Sequence, residues 1–329
     1  IRRPPRSTLS SSSAASDVYK RQVTNRDGFS TNLLNGQDLD DMSSISARTD
    51  WEYMKGISSL RVFAQYFDAD NNGAAMKGID DQTPNPRELL QDTEANFQLT
   101  SKLVAAILEV GLTNSTLKAI ASWQEDDVLI KRDNDRHNFG DIHIGGLWDG
   151  LPYIRAEYDP ETSLVETKTF EVNIISDTPL FDKLDWTVGA FYLDHKIENH
   201  IREYKDVNNV YDIDLMDGEF TPYVHNSECP ACFAIYGAEV GFISDAFPTR
   251  ESYSAYAQTT LNMTDTTRLV TGVRYTDDTV DSFVSNFFGI PGQVYNLKEN
   301  LSETTGRVAV EWDATDNAMT YLSITKGFK

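Results

Sequence analysis

Cysteine chemistry is the first possibility in this sequence, because Cys229 and Cys232 enclose Pro230 and Ala231 in a CPxC segment. Thioredoxin-like oxidoreductases use this spacing, but their first thiol lies at a helix N-terminus in a βαβ unit, where its pKa is lowered. Here the two cysteines lie midway through the longest segment between predicted strands. We therefore predict a short disulfide that pins this loop in an oxidising compartment, with free thiols or a loop metal site as the alternatives.

Histidine catalysis has a weaker basis in the sequence. A small barrel enzyme needs an Asp/His or Ser/His pair high on its wall, and no nucleophile motif such as GxSxG accompanies the histidines here. We interpret all of them as loop or surface residues and predict no catalytic residue. The five histidines are His137, His143, His195, His200 and His225.

Acidic residues cluster at Asp40–Asp41, Glu125–Asp127 and Asp277–Asp278. Each cluster is predicted near a strand end or in a loop, so we interpret the clusters as solvated surface. The segment 68–73, DADNNG, partly resembles a calcium loop, which supplies at least about six oxygens from a rigid backbone. Its twelfth position is Ile79 rather than Glu. We predict a turn there and no metal site.

The overall charge excludes a nucleic-acid partner, since the chain has 51 Asp and Glu against 29 Lys and Arg and a net charge of −22. Such a chain repels phosphate backbones. The longest apolar run, Leu103–Leu112, is interrupted by Glu109, whereas a helix that crosses a bilayer needs about 20 apolar residues. A hydrophobic content of 40% is nevertheless typical of a folded protein.

The first 22 residues differ from the rest, because they carry five of the 29 basic residues and one of the 51 acidic ones. This Ser-, Arg- and Pro-rich head has neither the apolar region of a signal peptide nor enough apolar residues to fold. It resembles translated sequencing-adapter read-through, in which case the true N-terminus has been lost; a natural basic arm is the alternative. We expect residues 1–22 to be unstructured and non-native, and we treat residues 23–329 as one domain.

From Val23 onward, apolar and polar residues alternate with a period of two, which indicates strands with two different faces. The clearest strand is Glu251–Met263, which is followed by a turn at 264–267 and a second alternating segment. The segment Leu103–Val110 also fits a helical period of 3.6, so a helical turn is its alternative. About ten strands are predicted in total, and the other hairpins span residues 46–69, 96–127, 165–192 and 302–328.

The connections between the predicted strands are of two kinds. Hairpin turns such as 178–183 and 264–267 are short, whereas the segments that follow Asp70, Val128 and Glu198 are long, and a further long segment follows Asp281. Compact soluble domains rarely keep structureless loops longer than about 15 residues. Transmembrane β-barrels combine short periplasmic turns with long outer loops, so this pattern favours such a barrel over a soluble β-sandwich.

Four segments resemble the β-barrel of TonB-dependent outer-membrane receptors of the iron-complex type. They are NRDGFSTNLLNGQDLDD (25–41), LDWTVGAFYLDHKIE (184–198), ESYSAYAQTTLNMTDTTRLVTGVRYTDDTVD (251–281) and AMTYLSITKGFK (318–329). The resemblance implies an all-β fold, with about ten strands of a 22-stranded antiparallel barrel. It also implies that a plug domain precedes residue 23 and that further strands follow residue 329.

The resemblance implies a function in the bacterial outer membrane: active uptake of a scarce solute such as a ferric siderophore. Its implied partners are TonB with the inner-membrane energising complex, outer-membrane lipid and lipopolysaccharide, and the extracellular ligand. It implies no enzyme activity and no cofactor. Aromatic loop residues that could contact the ligand are Trp148, Tyr153 and Tyr223. A passive porin, a small barrel enzyme and a soluble β-rich binding module are the alternatives.

Overall fold

The computed structural model describes residues 15–78, 81–91, 93–133, 136, 155–206, 240–287, 293–315 and 317–327. Within these ranges the chain forms one antiparallel sheet of eleven strands and a separate sheet of three short strands. Across the same ranges, no helix is long and apolar enough to cross a membrane. The predicted all-β fold, a partial and unclosed antiparallel barrel, is confirmed.

Fourteen strands follow one another in the described ranges. They are β1 (Ala15–Arg26), β2 (Ser30–Asn32), β3 (Asp38–Leu39), β4 (Met42–Lys55), β5 (Ser58–Asn71), β6 (Glu88–Leu89), β7 (Asn96–Gly111), β8 (Ser115–Asp133), β9 (Arg155–Ser176), β10 (Leu184–Asp206), β11 (Val240–Asn262), β12 (Thr267–Phe287), β13 (Gln293–Thr315) and β14 (Ala318–Lys326). Strands β2, β3 and β6 form the small sheet, and the other eleven pair in sequence order.

The strands extend further than the alternation predicts. Leu103–Val110 lies inside β7, so the alternative of a helical turn is wrong. The predicted turn at 68–73 is also wrong in part, because Asp68–Asn71 belong to β5. Glu125–Asp127 and Asp277–Asp278 lie within β8 and β12 rather than near strand ends. Polar residues lie on both faces of these segments, so the alternation of apolar and polar residues does not reveal that the strands continue.

Strand β1 differs from the expectation for the head. Its backbone pairs with β4 from Ala15 opposite Tyr53 to Arg26 opposite Met42, so residues 15–22 are part of the sheet. Ladder hydrogen bonds join main-chain groups and require no particular side chain, which allows a segment with few apolar residues to pair. Residues 1–14 lie outside the described residues, and the origin of the head stays a prediction.

The two ends of the large sheet differ in their connections. At one end, which we call the short-turn end, the strands are joined by residues 56–57, 112–114, 177–183, 263–266 and 316–317. At the opposite, long-loop end the connections are 27–41, 72–95, 134–154, 207–239 and 288–292. The predicted long loop after Asp281 is wrong, because β12 and β13 continue to pair up to Asn286 opposite Gln293.

The two faces of the sheet differ in chemistry, as the alternation predicts. Ser252 and Ser254 are only 4% and 5% exposed, whereas Tyr253 between them is 53% exposed. We call the buried side the inner face and the other side the outer face. One outer row across eight strands is entirely apolar: Tyr53, Leu60, Leu108, Ala119, Val172, Ala190, Ala255 and Tyr275. The inner row beside it mixes charged, polar and apolar side chains: Glu52, Arg61, Ile107, Ile120, Glu171, Phe191, Ser254 and Thr276.

Aromatic residues border the outer apolar surface at both ends. The turn-side girdle consists of Trp51, Tyr53, Trp186 and Trp312, and the loop-side girdle consists of Tyr66, Trp123, Tyr192, Tyr253 and Tyr275. Barrel strands are tilted by about 35–45°, so a row of paired residues runs from one end of the wall towards the other and its two end members, Tyr53 and Tyr275, belong to different girdles. Trp186 and Tyr192 are six positions apart along β10, about 20 Å of extended strand. Outer-membrane barrels have an apolar band about 25 Å tall between two such girdles.

Each residue of the loop-side girdle donates a hydrogen bond to a carboxylate nearer the long-loop end. Tyr253 Oη donates to Glu251 Oε1 at 2.7 Å, and Trp123 Nε1 donates to Glu166 Oε2 at 3.0 Å. The other pairs are Tyr66 with Asp68, Tyr192 with Glu251, and Tyr275 with Asp277. Each ring therefore covers the apolar band while its polar atom contacts the charged zone beyond.

The large sheet has an odd number of strands, so its first and last strands cannot pair in antiparallel fashion to close a barrel. All ten neighbouring pairs in the eleven-stranded sheet are antiparallel, so the first strand, β1, and the last, β14, run in the same direction. This geometry contradicts a barrel closed by these strands alone, the architecture that the small-enzyme alternative would need.

A tyrosine crosses the inner face over a glycine. Tyr256 on β11 lies opposite Gly189 on β10 and reaches across it, so that its hydroxyl group lies within hydrogen-bonding distance of Glu171 and Asn173 on β9. The Arg274 guanidinium lies 5.5 Å from the Tyr256 ring centroid. A Cβ atom at position 189 would be 2.6 Å from Tyr256 Cζ and 2.7 Å from its hydroxyl oxygen. Only glycine leaves room for this contact across three strands.

We expect Gly189→Ala to displace Tyr256 and to destabilise the full-length barrel by about 1–3 kcal/mol, as overpacking in a close-packed site does. The measurement is the temperature at which the folded band is lost in a gel-shift assay. Gly272→Ala on β12 is the matched control, because its Cβ would have only the Ala257 carbonyl oxygen nearby, at 3.8 Å. Equal loss of stability in the two variants would contradict this explanation.

The assignment of the two faces predicts that Ala255 contacts hydrocarbon and that Ser254 does not. In full-length protein without its native cysteines, reconstituted in lipid, we expect a spin label at Ala255→Cys to be accessible to dissolved oxygen. A label at Ser254→Cys should instead be shielded from it, since hydroxyls and amides belong on the side away from hydrocarbon. The reverse accessibilities would show that the register is shifted by one residue.

Candidate functional site

The structure leaves the residues that the sequence singles out as site residues untested. Trp148, Tyr153, Tyr223, Cys229 and Cys232 all lie outside the described residues, so the ligand contacts and the disulfide stay predictions.

Two of the five histidines are described, and both are held by neighbouring strands. His195 Nδ1 lies 2.9 Å from Thr167 Oγ1 on the inner face. His200 lies between Asp245 Oδ1, at 2.6 Å, and Glu198 Oε1, at 3.1 Å. Carboxylates on both ring nitrogens hold the imidazole in one orientation in the wall. Across the described ranges, no group of three or more His, Cys, Asp or Glu is placed to hold a metal ion.

The described part of the long-loop end contains a folded unit, which we call the cap. It consists of the connections 27–41 and 72–95, without residues 79, 80 and 92. Strand β2 pairs with β3 in antiparallel fashion and with β6 in parallel fashion, so the small sheet joins the two connections. Leu39, Leu89 and Ala95 form its apolar core, each at most 5% exposed, with Ala75 packed against them.

Two side-chain amides link the connections, and each bonds to both main-chain polar groups of one residue. Asn32 Nδ2 donates to the Gln91 carbonyl oxygen at 2.7 Å, and its Oδ1 accepts from Gln91 N at 3.1 Å. Gln37 makes the same pair of bonds to Ala95, at 2.7 and 3.1 Å. Asn32 is completely buried, and it satisfies the N–H and the C=O of Gln91, which would otherwise lose these partners. These bridges fix the cap before any ligand is present.

Asp81 anchors the second connection. Its Oδ1 accepts hydrogen bonds from Thr83 N at 2.8 Å and Thr83 Oγ1 at 2.7 Å, and its Oδ2 accepts from Leu90 N at 3.2 Å. Lys77 Nζ lies 3.9 Å from the same carboxylate and donates to the Thr83 carbonyl oxygen at 2.7 Å. Burial raises the pKa of Asp81, but the hydrogen bonds from Thr83 and Leu90 outweigh it, so the pKa lies below its ordinary value.

A cleft of about 400 Å³ lies between the cap and the inner face of the sheet. Its apolar lining comes from Phe29 and Met76 in the cap and from Phe97 and Ile130 in β7 and β8. Pockets of about 300–1,000 Å³ with mostly apolar walls and a few polar groups are typical of small-molecule sites. Charged residues also line the cleft, and they are Arg26, Asp40, Asp41, Lys131 and Arg132.

The acidic residues of the cleft have structural partners. Asp40 accepts hydrogen bonds from Ser30 Oγ at 2.6 Å and from Ala75 N at 3.2 Å, and Asp41 Oδ1 accepts from Asn72 N at 2.7 Å. Asp40 also has a φ of 61°, in the left-handed region, where Asp is among the few tolerated side chains. These carboxylates hold the backbone of the cap in place.

Sequence reasoning assigns residues 25–41 to an outer loop but misses the cleft. The loop contains turn residues, such as Asn35 followed by Gly36, which has a φ of 77°. No local signal, however, shows that Gln37 bonds to Ala95 or that Phe29 lies near Phe97. These contacts join residues far apart along the chain and depend on the order of the strands.

The chain also resembles known proteins. A family model described as "TonB dependent receptor-like, beta-barrel" matches residues 3–329. No curated protein matches the sequence closely enough to count as a relative.

Three solved structures illustrate the likeness of fold. The ferric yersiniabactin uptake receptor FyuA from Yersinia pestis has a TM-score of 0.66 and 13% identity, over 94% of this chain and 41% of that one. The siderophore receptor PiuA from Acinetobacter baumannii has a TM-score of 0.59 and 14% identity, over 93% and 44%. The ferric-catecholate import receptor Fiu from E. coli K12, in its open form, has a TM-score of 0.60 and 11% identity, over 97% and 51%. The chain thus spans roughly half of these structures or less.

The lowered pKa of Asp81 predicts that the stability of the cap depends on pH. A carboxyl group with a lowered pKa stabilises the folded state above its unfolded pKa of about 3.9, and this stabilisation is lost as the pH falls through the folded value. Asp81→Asn should therefore speed amide hydrogen exchange in residues 81–91 by about tenfold or more at neutral pH, since hydrogen bonds to a charged group are lost.

In the wild-type protein, a fall in pH through the folded pKa of Asp81 should likewise speed amide hydrogen exchange in the cap, after correction for intrinsic exchange rates. The same fall in pH should have a much smaller effect on Asp81→Asn. Asp27→Asn is the control, because Asp27 is an exposed residue of the same cap. Unchanged exchange in Asp81→Asn would contradict the role of this carboxylate.

Proposed function

Since this chain belongs to the TonB dependent receptor-like β-barrel family, we propose that it is part of an outer-membrane receptor for active uptake of a scarce solute such as a ferric siderophore. The observation that carries the proposal is the large sheet with its apolar outer face between two aromatic girdles. Such a surface is stable against hydrocarbon and would be costly in water. Members of this family are receptors, and we propose no catalytic step.

The proposed partners follow from the two ends of the sheet. TonB, energised by the inner-membrane complex, would act from the periplasm, which we assign to the short-turn end. Lipopolysaccharide would surround the loop-side girdle, where the carboxylates that accept from Tyr253 and Trp123 begin a charged zone. The long-loop end would face the medium and capture the ligand.

The untested residues fit the same orientation. Strand order requires the connection 207–239, which contains Cys229 and Cys232, to leave from the long-loop end. We propose that these cysteines form a disulfide in that oxidising environment. Trp148, Tyr153 and Tyr223 belong to connections at the same end, and we propose them as ligand contacts.

A passive porin is the main alternative, because it would share the apolar outer face. What separates the two functions is energy: a porin conducts down a gradient, whereas a receptor of this family depends on TonB. A soluble binding module fits less well, since an apolar row that crosses eight strands would remain exposed to water.

The test is uptake of ⁵⁵Fe into cells that lack their own iron-complex receptors and express the full-length protein. The probes are ferric citrate, a ferric hydroxamate and a ferric catecholate, each with and without TonB. We expect at least one complex to accumulate only when TonB is present and to stop accumulating after a protonophore is added. Equal accumulation without TonB would indicate a porin, and no accumulation of any complex would contradict an iron-complex substrate.

A further inference from the structure

Two arginines, Arg26 at the end of β1 and Arg87 in the cap, lie over the ring of Phe29. The Arg26 guanidinium carbon is 5.3 Å from the ring centroid and that of Arg87 is 4.5 Å from it. Neither guanidinium forms an ion pair with a carboxylate in the described part of the chain. This arrangement is unexpected in a protein with a net charge of −22, where acidic partners are plentiful.

Arg26 keeps most of its hydrogen-bonding capacity for another group. In the part of the chain that the structure describes, the one hydrogen bond of its side chain runs from Nη2 to the backbone carbonyl oxygen of Asp40, at 2.9 Å. The Asp40 carboxylate instead accepts from Ser30 and Ala75. A guanidinium has five N–H donors in a planar fork, so several remain that can bind a carboxylate through two parallel bonds.

The remaining walls of the cleft suit a flat apolar group. Phe97 and Ile130 lie on the inner face of β7 and β8, opposite each other, and Met76 contributes a flexible side chain from the cap. An inorganic anion would leave these apolar walls in contact with water. A neutral ring would cover them but would leave the charge of Arg26 without a partner while removing its water.

We propose that the cleft binds an aryl carboxylate, with its carboxylate at Arg26 and its ring against Phe97 and Ile130. The inference rests on the proposed function and names the chemical class of solute, or of a solute's terminal group, that the receptor takes. Arg87 acts as a positioning residue, because it holds the Phe29 ring beside Arg26 and does not line the cleft.

Binding to purified full-length protein in detergent tests the proposal without transport. The probe is benzoate in a saturation-transfer NMR titration, with acetate as the anion without a ring and benzyl alcohol as the ring without a charge. We expect benzoate to bind at least about tenfold more tightly than either, because each lacks one of the two interactions. Equal affinities for benzoate and benzyl alcohol, or for benzoate and acetate, would overturn the proposal.

Two variants assign the binding to the cleft. Arg26→Gln should weaken benzoate binding about tenfold or more, and Arg26→Lys should weaken it less, since lysine keeps the charge but loses the fork. Arg307→Gln on β13 is the matched control, because Arg307 is exposed and does not line the cleft. Unchanged affinity in Arg26→Gln would overturn the proposal. If Arg26→Gln does not fold, the charge-conserving Arg26→Lys and the probe comparison on wild-type protein decide the result.

Failure of this inference and failure of the proposed function give different results. TonB-dependent ⁵⁵Fe uptake by a protein that does not bind benzoate would refute only the aryl carboxylate. Tight benzoate binding by a protein whose uptake is independent of TonB would refute only active transport.

Discussion

The pairing of backbone hydrogen bonds is the constraint on which the rest of this structure depends. In hydrocarbon an unpaired N–H or C=O costs several kcal/mol, so a chain can cross only where neighbouring strands satisfy each other. Within the eleven-stranded sheet antiparallel ladders meet this requirement, whereas the outer edges of β1 and β14 have no neighbouring strand in the described part of the chain. Every other property of the wall, including the distribution of its side chains, has to be compatible with that ladder.

The ladder also determines where chemistry can occur. Because side chains alternate, one face can be apolar while the other carries groups such as Glu171, Tyr256 and Arg274. Strands that continue past the loop-side girdle leave the apolar zone, and there β5, β7 and β8 support the cap. The cleft therefore combines two kinds of wall: rigid strands supply Phe97 and Ile130, and the cap supplies Phe29 and Met76.

Much of the wall could be predicted from the sequence because hairpins are local. The alternation in Glu251–Met263 and the short turn after it determine a strand pair without reference to distant residues. The strand segments Asp68–Asn71 and Ser282–Phe287 escaped prediction because polar side chains on both faces weaken the periodic signal. Strand β1 escaped it because pairing of the main chain can include a segment whose composition favours disorder. The cap and its cleft could not be predicted, since Asn32 and Gln37 bond to residues more than fifty positions away.

The amide bridges of Asn32 and Gln37 have a kinetic consequence. Loops that become ordered only around a ligand lose conformational entropy at the moment of binding and slow the productive encounter. Here the order is established when the chain folds, so the ligand proposed for the cleft would dock onto a rigid body. Association of that kind is limited by diffusion and alignment, and differences in affinity between related ligands then arise mainly from how long each one stays bound.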